Sequence, residues 1–368
     1  MKSICGCFLS VIFAAVLLNA QTVKNENGIK IIDNDLKGEY EKLGKTITLE
    51  KILSIGREDG KEEELLYGMW DLAVNYKGNI YVVERKNKCV KVFDSKGKFL
   101  FKIGRGGDGP GEFREPVRIF SAPNNDVFIL DQNGIISRFN DKGKFIFSFK
   151  TKSSPNDFVV DSHGNFYVNE NYYADKKIWV YDKKGNQVKS FGDVVKGKNG
   201  SETGFLNRGV MAVDKDDNIY IAYNQPFKIE KYSNEGKLIS VISRKTPFKI
   251  TEPDFKEEKK DRGLVVKMNS ASKLAADLFV NNGKIYFLLK TDQGAFSHAG
   301  SLDVFDLNGK FLFQAAFNSN DIRAISVDDK GNIYAIDESL GFAVPEISKR
   351  TGKTIRLPQI IKYKVNIE

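Results

Sequence analysis

Short runs of β-branched, aromatic and aliphatic residues alternate with tight polar clusters from Asp71 to Lys353. Leu72-Ala73-Val74 leads into a turn, followed by Ile80-Tyr81-Val82-Val83, then Val90-Lys91-Val92-Phe93, a second turn and Phe99-Leu100-Phe101-Lys102-Ile103. The length of these runs and their Asn, Asp and Gly punctuation predict four antiparallel strands, because hairpin turns need positive φ values that those residues tolerate. Within the unit there is no apolar spacing near 3.6 residues, which argues against a helical solenoid.

The unit recurs. Gly78-Asn79-Ile80-Tyr81 is followed by Asp94-Ser95-Lys96-Gly97-Lys98, and Gly164-Asn165-Phe166-Tyr167 by Asp182-Lys183-Lys184-Gly185-Asn186. Degenerate copies stand at Asp126-Val127-Phe128, Asn218-Ile219-Tyr220 and Gly283-Lys284-Ile285-Tyr286, and a clean one at Gly331-Asn332-Ile333-Tyr334. A period of roughly 40 to 60 residues marks a propeller or solenoid. Six units of four antiparallel strands predict an all-β, six-bladed propeller, a radial arrangement that leaves few exposed sheet edges.

The repeats resemble the NHL family, whose unit reads approximately as an apolar strand, Asp-x-x-Gly-Asn-Ile-Tyr-Val-x-Asp, then Val-x-Val-Phe-Asp-x-x-Gly-Lys. Blade 1 is the most typical copy; blades 2, 4 and 5 depart from the pattern at the first turn. Gly104-Arg105-Gly106-Gly107-Asp108-Gly109-Pro110-Gly111-Glu112-Phe113 is similar to the inter-blade linker of a bacterial six-bladed group in this class. The resemblance implies the fold. It implies little about function, since such propellers include binding modules, lyases and RNA-binding domains, and fold does not fix function.

Residues 1–20 read as a secretory signal peptide, with an apolar run from Ile4 to Leu18 and cleavage after Ala20. That run is short for a membrane span. Cys5 and Cys7 lie at its start, so only Cys89 remains in the mature chain and an intramolecular disulfide is excluded. The expectation is an exported monomer, periplasmic, cell-surface or secreted, without a transmembrane segment once cleaved. Residues 21–45 are polar and predict a mobile lead-in, with the propeller occupying 46–368 as one unit. The formal charge of +9 falls by one with the loss of Lys2. A basic surface favours polyanions, yet the lysines concentrate in turns, where they act as solubilising charge.

In a propeller the turns joining first to second and third to fourth strands share one face. Here that face is uniformly short. Every long segment, 104–116, 192–208, 244–276 and 290–300, falls on the other face, which predicts that the long-loop side meets a ligand. Thr251-Glu252-Pro253-Asp254 in the 244–276 insertion reads as a helix start.

Aligning the repeats brings two rings of residues together. The ends of the second strands align Glu84, Asp131, Glu170 and Asp337 with Tyr223 and Leu289; the carboxylates could bind Ca²⁺ or Mg²⁺, or serve as turn residues. The first strands align Asp71, Arg118, Asp157, Val210, Asp277 and Ala324, with Arg323 beside the last. The carboxylates on blades 1, 3 and 5 could converge on a cation, or pair with Arg118 and Arg323 as buried charges do. Arg114, Arg208 and His298 in the long loops complete the candidate ligand-binding set.

Only two histidines exist, His163 and His298, and His163 falls on the short-turn face. A multi-histidine zinc site, as in the amidating lyase propellers, is therefore excluded. His298 is the one candidate for the catalytic His of the streptogramin lyase propellers. The glycines at 104–111 lack a following Gly-Lys-Ser/Thr and are not a phosphate loop. The sequence thus supports an exported noncatalytic binding or interaction module with a protein, peptide or glycan ligand and no cofactor. The alternative is a metal-assisted lyase or hydrolase at the channel mouth. Nucleic acid is disfavoured by export. Two segments, Glu50 to Gly56 and Gly352 to Leu357, compete for the outermost strand of the last blade.

Overall fold

The alternating runs form strands where the pattern places them. In a computed structural model describing residues 21–56, 61–170, 175–225, 227–260, 263–272, 274–290, 300–338 and 358–368, blade 1 comprises Met69–Val74, Ile80–Glu84, Cys89–Phe93 and Phe99–Ile103, antiparallel throughout. Five similar sheets follow, and together they make a six-bladed propeller. The first strands, Met69–Val74, Pro116–Ser121, Asp157–Val160, Gly209–Val213, Ala275–Asn281 and Ile322–Val327, touch one another in order. The last touches the first, so they enclose a central channel.

Burial explains the apolar runs. Second strands such as Ile80–Glu84 and Ile333–Asp337 are buried at every position, because neighbouring blades cover both faces. The outer strand Phe145–Lys150 instead alternates half-buried with exposed residues. The core lies between blades: Tyr81, Val83, Val90 and Val92 of blade 1 pack with Ile119, Val127, Ile129 and Phe139 of blade 2.

Blade 6 contains strands from both ends of the chain. Ile322–Val327, Ile333–Asp337 and Gln359–Ile367 are its first three strands, and Ile47–Ile55 is the outermost. Ile55 pairs with Ile360 and Ile47 with Ile367. The competing segment, Gly352 to Leu357, lies outside the described residues, as do residues 1–20, expected to be a signal peptide, and His298.

Two expectations are corrected. Residues 21–45 are not a mobile lead-in: Gln21–Glu26 and Ile29–Asn34 form a hairpin, and the latter adds in parallel to Leu238–Arg244 of blade 4. Ile32 and Asn34 are buried, and the Asn34 amide donates to Ser243 O at 3.0 Å and Gly309 O at 2.9 Å while accepting from Phe311 N at 2.9 Å. Those bonds hold the segment across blades 4 and 5. A short helix, Glu39–Lys42, follows and stacks Tyr40 on Phe313. The second correction concerns the expected helix after Thr251, which is a hairpin of Asp254–Lys260 and Gly263–Ser270. The run Leu264-Val265-Val266 supplies a β-rich partner strand. Local cap chemistry yields to that pairing.

The turn between third and fourth strands also sets blade spacing. Gly185 has φ +84°, and a Cβ there would stand 2.4 Å from Phe149 Cγ in the outer strand of blade 2. Gly28, with φ +81°, has open space around it. We expect Gly185→Ala to lower stability by about 2–4 kcal/mol, and Gly28→Ala by only about 1–2 kcal/mol, since the second carries left-handed strain without the clash. Urea unfolding midpoints of the two variants check this, and equal losses would refute the packing role.

Candidate functional site in the central channel

Register shifts stand beside Asp71, Arg118 and Asp277 near the start of the first strands of blades 1, 2 and 5. Such bulges re-aim side chains. Asp157 begins the first strand of blade 3. All three carboxylates are buried and bonded in the same way. Each Oδ1 accepts from the following residue's N–H: Leu72 at 2.9 Å, Phe158 at 2.9 Å and Leu278 at 3.0 Å. Each Oδ2 accepts from the next blade: Ile119 N at 2.9 Å, Met211 N at 2.8 Å and Ile325 N at 2.8 Å. The aspartates therefore staple blade 1 to 2, 3 to 4 and 5 to 6.

Arg118 stands among them. Its Nη1 lies 3.9 Å from Asp71 Oδ1 and 3.8 Å from Asp277 Oδ1, and its Nε lies 3.5 Å from Asp157 Oδ1. The repeat alignment thus names four residues that do meet. Burial raises the Asp71 pKa to about 8, opposed by Arg118 and reinforced by Asp277 and Asp157. Asp277 rises to about 6 and Asp157 also rises, again through burial first and with Arg118 opposing. Burial works against the Arg118 charge, but Asp157, Asp71 and Asp277 outweigh it and hold the guanidinium protonated.

A cavity of about 760 Å³ extends from this ring to the short-turn side. Its walls include Leu72, Val74, Phe158, Val160, Val213 and Val280, and its outer half carries Asp214, Asp217, Asp328 and Asp329 with Lys215. Every first turn contributes to the rim, among them through Tyr76, Pro123, Ser162, Lys215, Asn282 and Asp329. Sequence reasoning passed over these residues because it read the short turns as solvated punctuation. The available signal was the acid-rich turns Asp214-Lys215-Asp216-Asp217 and Asp328-Asp329.

The long-loop face is built differently. Helix Gly200–Asn207 is capped by the Asn199 side chain accepting from Glu202 N at 2.9 Å. Its Phe205 meets Phe255 of the inserted hairpin edge to face, with centroids 6.1 Å apart. Arg323, expected beside the inner aspartates, pairs with Glu338 at 2.6 Å and lies over Trp70, whose ring Arg85 also approaches. Arg114 is exposed and pairs with Asp108, while Arg208 is exposed just after the helix.

The second-strand carboxylates do not converge. Glu84 accepts from Tyr67 N at 2.7 Å, Asp131 from Arg114 N at 2.7 Å and Glu115 N at 3.0 Å, Glu170 from Tyr181 Oη at 3.0 Å and Asp337 from Ser319 Oγ at 2.8 Å. Glu84, Asp131 and Asp337 tie down the approach to their own blades, as Glu170 also does by accepting from Ser153 Oγ. Among the described residues one group has metal-ligand spacing, Asp161, His163 and Asp217 on the short-turn face. Its carboxylates already serve the turns: Asp161 Oδ1 accepts from His163 N and Asn165 N, and Asp217 from Ser162 N and Ser162 Oγ.

The inner ring makes a signed prediction. Below about pH 4 both folded and unfolded chains hold the Asp71 and Asp277 protons; above that the unfolded chain releases them at its ordinary value of 3.8 while the folded chain keeps them. Their contribution to stability is lost as pH rises through about 6 and about 8. Unfolding measured at about pH 5 and about pH 8.5 should show wild type losing stability relative to Asp71→Asn as pH rises. A pH-independent difference would contradict it. Arg118→Met, which leaves the carboxylates without their cation, should cost about 3–5 kcal/mol near neutral pH and less in acid; the same denaturation series reads this loss.

Solved structures share the architecture. A candidate exported protein from Bacteroides fragilis NCTC 9343 superposes with a TM-score of 0.58 at 14% identity, over 92% of this chain and 99% of that one. A member of the DUF4221 family from Bacteroides vulgatus gives 0.56 at 9% identity, over 88% and 99%. At these identities the likeness shows fold alone. In sequence, 126 residues are 26% identical to the protein brain tumor of Drosophila melanogaster, a match spanning 33% of this chain and 12% of that protein. No helix among the described residues is long and apolar enough to cross a membrane. The family described as 6-bladed beta-propeller, DUF5128, matches residues 61–326, and the chain belongs to it.

Proposed function

We propose that this protein is an exported, noncatalytic binding module of the NHL-like kind, and that its ligand enters the central channel. The observation that carries this reading is the cavity of about 760 Å³, apolar along its walls and ended by the ring of Asp71, Arg118, Asp157 and Asp277. That volume lies within the range of small-molecule pockets, about 300–1,000 Å³, and the combination of apolar wall and few convergent polar groups is what such pockets share. Export is supported by the apolar run from Ile4 to Leu18 ahead of Ala20. The reading requires no cofactor. It places the ligand on the channel side of the short turns rather than on the long-loop face.

N-phenyl-1-naphthylamine, a neutral fluorophore that brightens in apolar surroundings, tests the cavity. It should bind the mature protein and lose binding in Val74→Trp or Val213→Trp, whose half-buried side chains line the cavity. Lys196→Glu, an exposed change on the long-loop side, should leave binding intact. Binding lost with Lys196→Glu but kept in both tryptophan variants would move the site to the long-loop face and overturn the proposal.

A further inference from the structure

We propose that the channel ligand is an organic cation, an ammonium group carried on an apolar body, with the ammonium seated toward Asp71, Asp157 and Asp277. This rests on the reading of the cavity as a binding site and adds the chemical class of what it binds.

Charge is the first argument. The chain as a whole is basic, at +9, but the cavity is lined by seven aspartates against one arginine and one lysine. Part of the acidity at the outer half is matched from behind the wall, where Lys231 lies 3.4 Å from Asp214 and Lys362 lies 3.2 Å from Asp328. Among the described residues the inner ring has no such backing, and its ion pairs all run to Arg118, so three carboxylates share one guanidinium. Buried charges require partners, and a ligand cation supplies the compensation that protons otherwise provide.

Geometry is the second. The three ion-pair distances, 3.5, 3.8 and 3.9 Å, exceed a direct hydrogen bond, and among the described residues Arg118 donates none. Each aspartate oxygen accepts one backbone N–H, and a carboxylate oxygen can accept a second donor. An ammonium brings three donors. A bare divalent ion fits less well, because it asks for several oxygens at about 2.0–2.6 Å and, with twice the charge of an ammonium, would be repelled more strongly by the guanidinium between them. An anion would face the excess of carboxylates. The apolar wall of Leu72, Val74, Phe158, Val160, Val213 and Val280 then covers the hydrocarbon part of the ligand.

Calorimetric titration of the mature protein with 2-phenylethylamine, 2-phenylethanol, 3-phenylpropanoate and calcium chloride decides the matter. The amine should bind at least about tenfold more tightly than the alcohol, as charge-assisted hydrogen bonds imply, with the carboxylate weaker than both. Asp277→Asn should shrink the preference of amine over alcohol. Equal binding of amine and alcohol, or no binding of the amine while the neutral naphthylamine still binds, overturns the cation inference and leaves the cavity reading intact. Tighter carboxylate binding identifies Arg118 as the anchor and reverses it; calcium binding that excludes the amine replaces it with a metal. Failure of all these probes and of the naphthylamine sinks the cavity reading itself. The ligand comparison uses the unmodified protein, so it decides even where a variant fails to fold.

Discussion

The channel exists only because the ring closes, and closure rests on one antiparallel pairing between the two ends of the chain. Ile47–Ile55 completes blade 6 beside Gln359–Ile367, joining residues about as far apart in sequence as the chain allows. The entropy of closing so long a loop grows only logarithmically, by about 0.6 kcal/mol per doubling of length, so a nine-residue strand with buried contacts can hold it. Ile55 is buried at the last position of that strand and shares a core cluster with Leu66, which leads into blade 1, and with Ile80 and Phe93 of its second and third strands. The closing strand therefore also seats the first blade. Without it, Gln359–Ile367 would present an open hydrogen-bonding edge, and the last blade would lose the strand that ties it to the other end of the chain.

Closure brings the first strands close enough for the aspartates to act across blades. Each of Asp71, Asp157 and Asp277 satisfies an N–H on the neighbouring first strand, Ile119, Met211 or Ile325. Burying three carboxylates is costly, and two backbone hydrogen bonds apiece plus Arg118 offset much of that cost. The arrangement is asymmetric by composition: the alternate blades repeat an aspartate, while among the described residues blade 2 alone contributes a cation to the ring. A device that staples the blades thus leaves excess negative charge at the end of an apolar channel. The proposed recognition would use the same carboxylates that staple the blades, so their mutation would act on both.

The repeat made much of this legible. Superposing the Gly-Asn-Ile-Tyr phrases placed Asp71, Arg118, Asp157 and Asp277 at equivalent heights on different blades, and rotational symmetry then required them to approach one another. Arg323 was misplaced because a one-residue offset, here beside the irregular pairing between Ile322 and Ile325, changes where a strand residue points. The N-terminal hairpin was available in Asn27-Gly28, a strong two-residue turn signal whose φ values are indeed both positive, but its flanking polar residues concealed the strand. The helix at Gly200–Asn207 was announced by Asn199 with Glu202 three residues on, a capping arrangement overlooked within a long loop. At 254–270 the error ran the other way. A helix start was read from one segment alone, whereas strand pairing depends on a partner that local pattern does not include.

The proposed recognition on the short-turn side is supported by how those turns divide their labour. In all six first turns the closing position holds a left-handed residue, Gly78, Asn125, Gly164, Asp217, Gly283 or Gly331. The opening residue often binds the turn's amides, as Asn75, Asp161, Asp214 and Asp328 do. Both positions are committed to backbone geometry. The residue after the opening one has no such duty in five blades, where it is Tyr76, Pro123, Ser162, Lys215 and Asp329, whereas Asn282 in blade 5 is itself left-handed; all six stand at the cavity rim. Six short turns thus bring different chemistries to one opening. A short turn can be a more exacting platform than a long loop, because little conformational freedom remains to be lost when a ligand is bound.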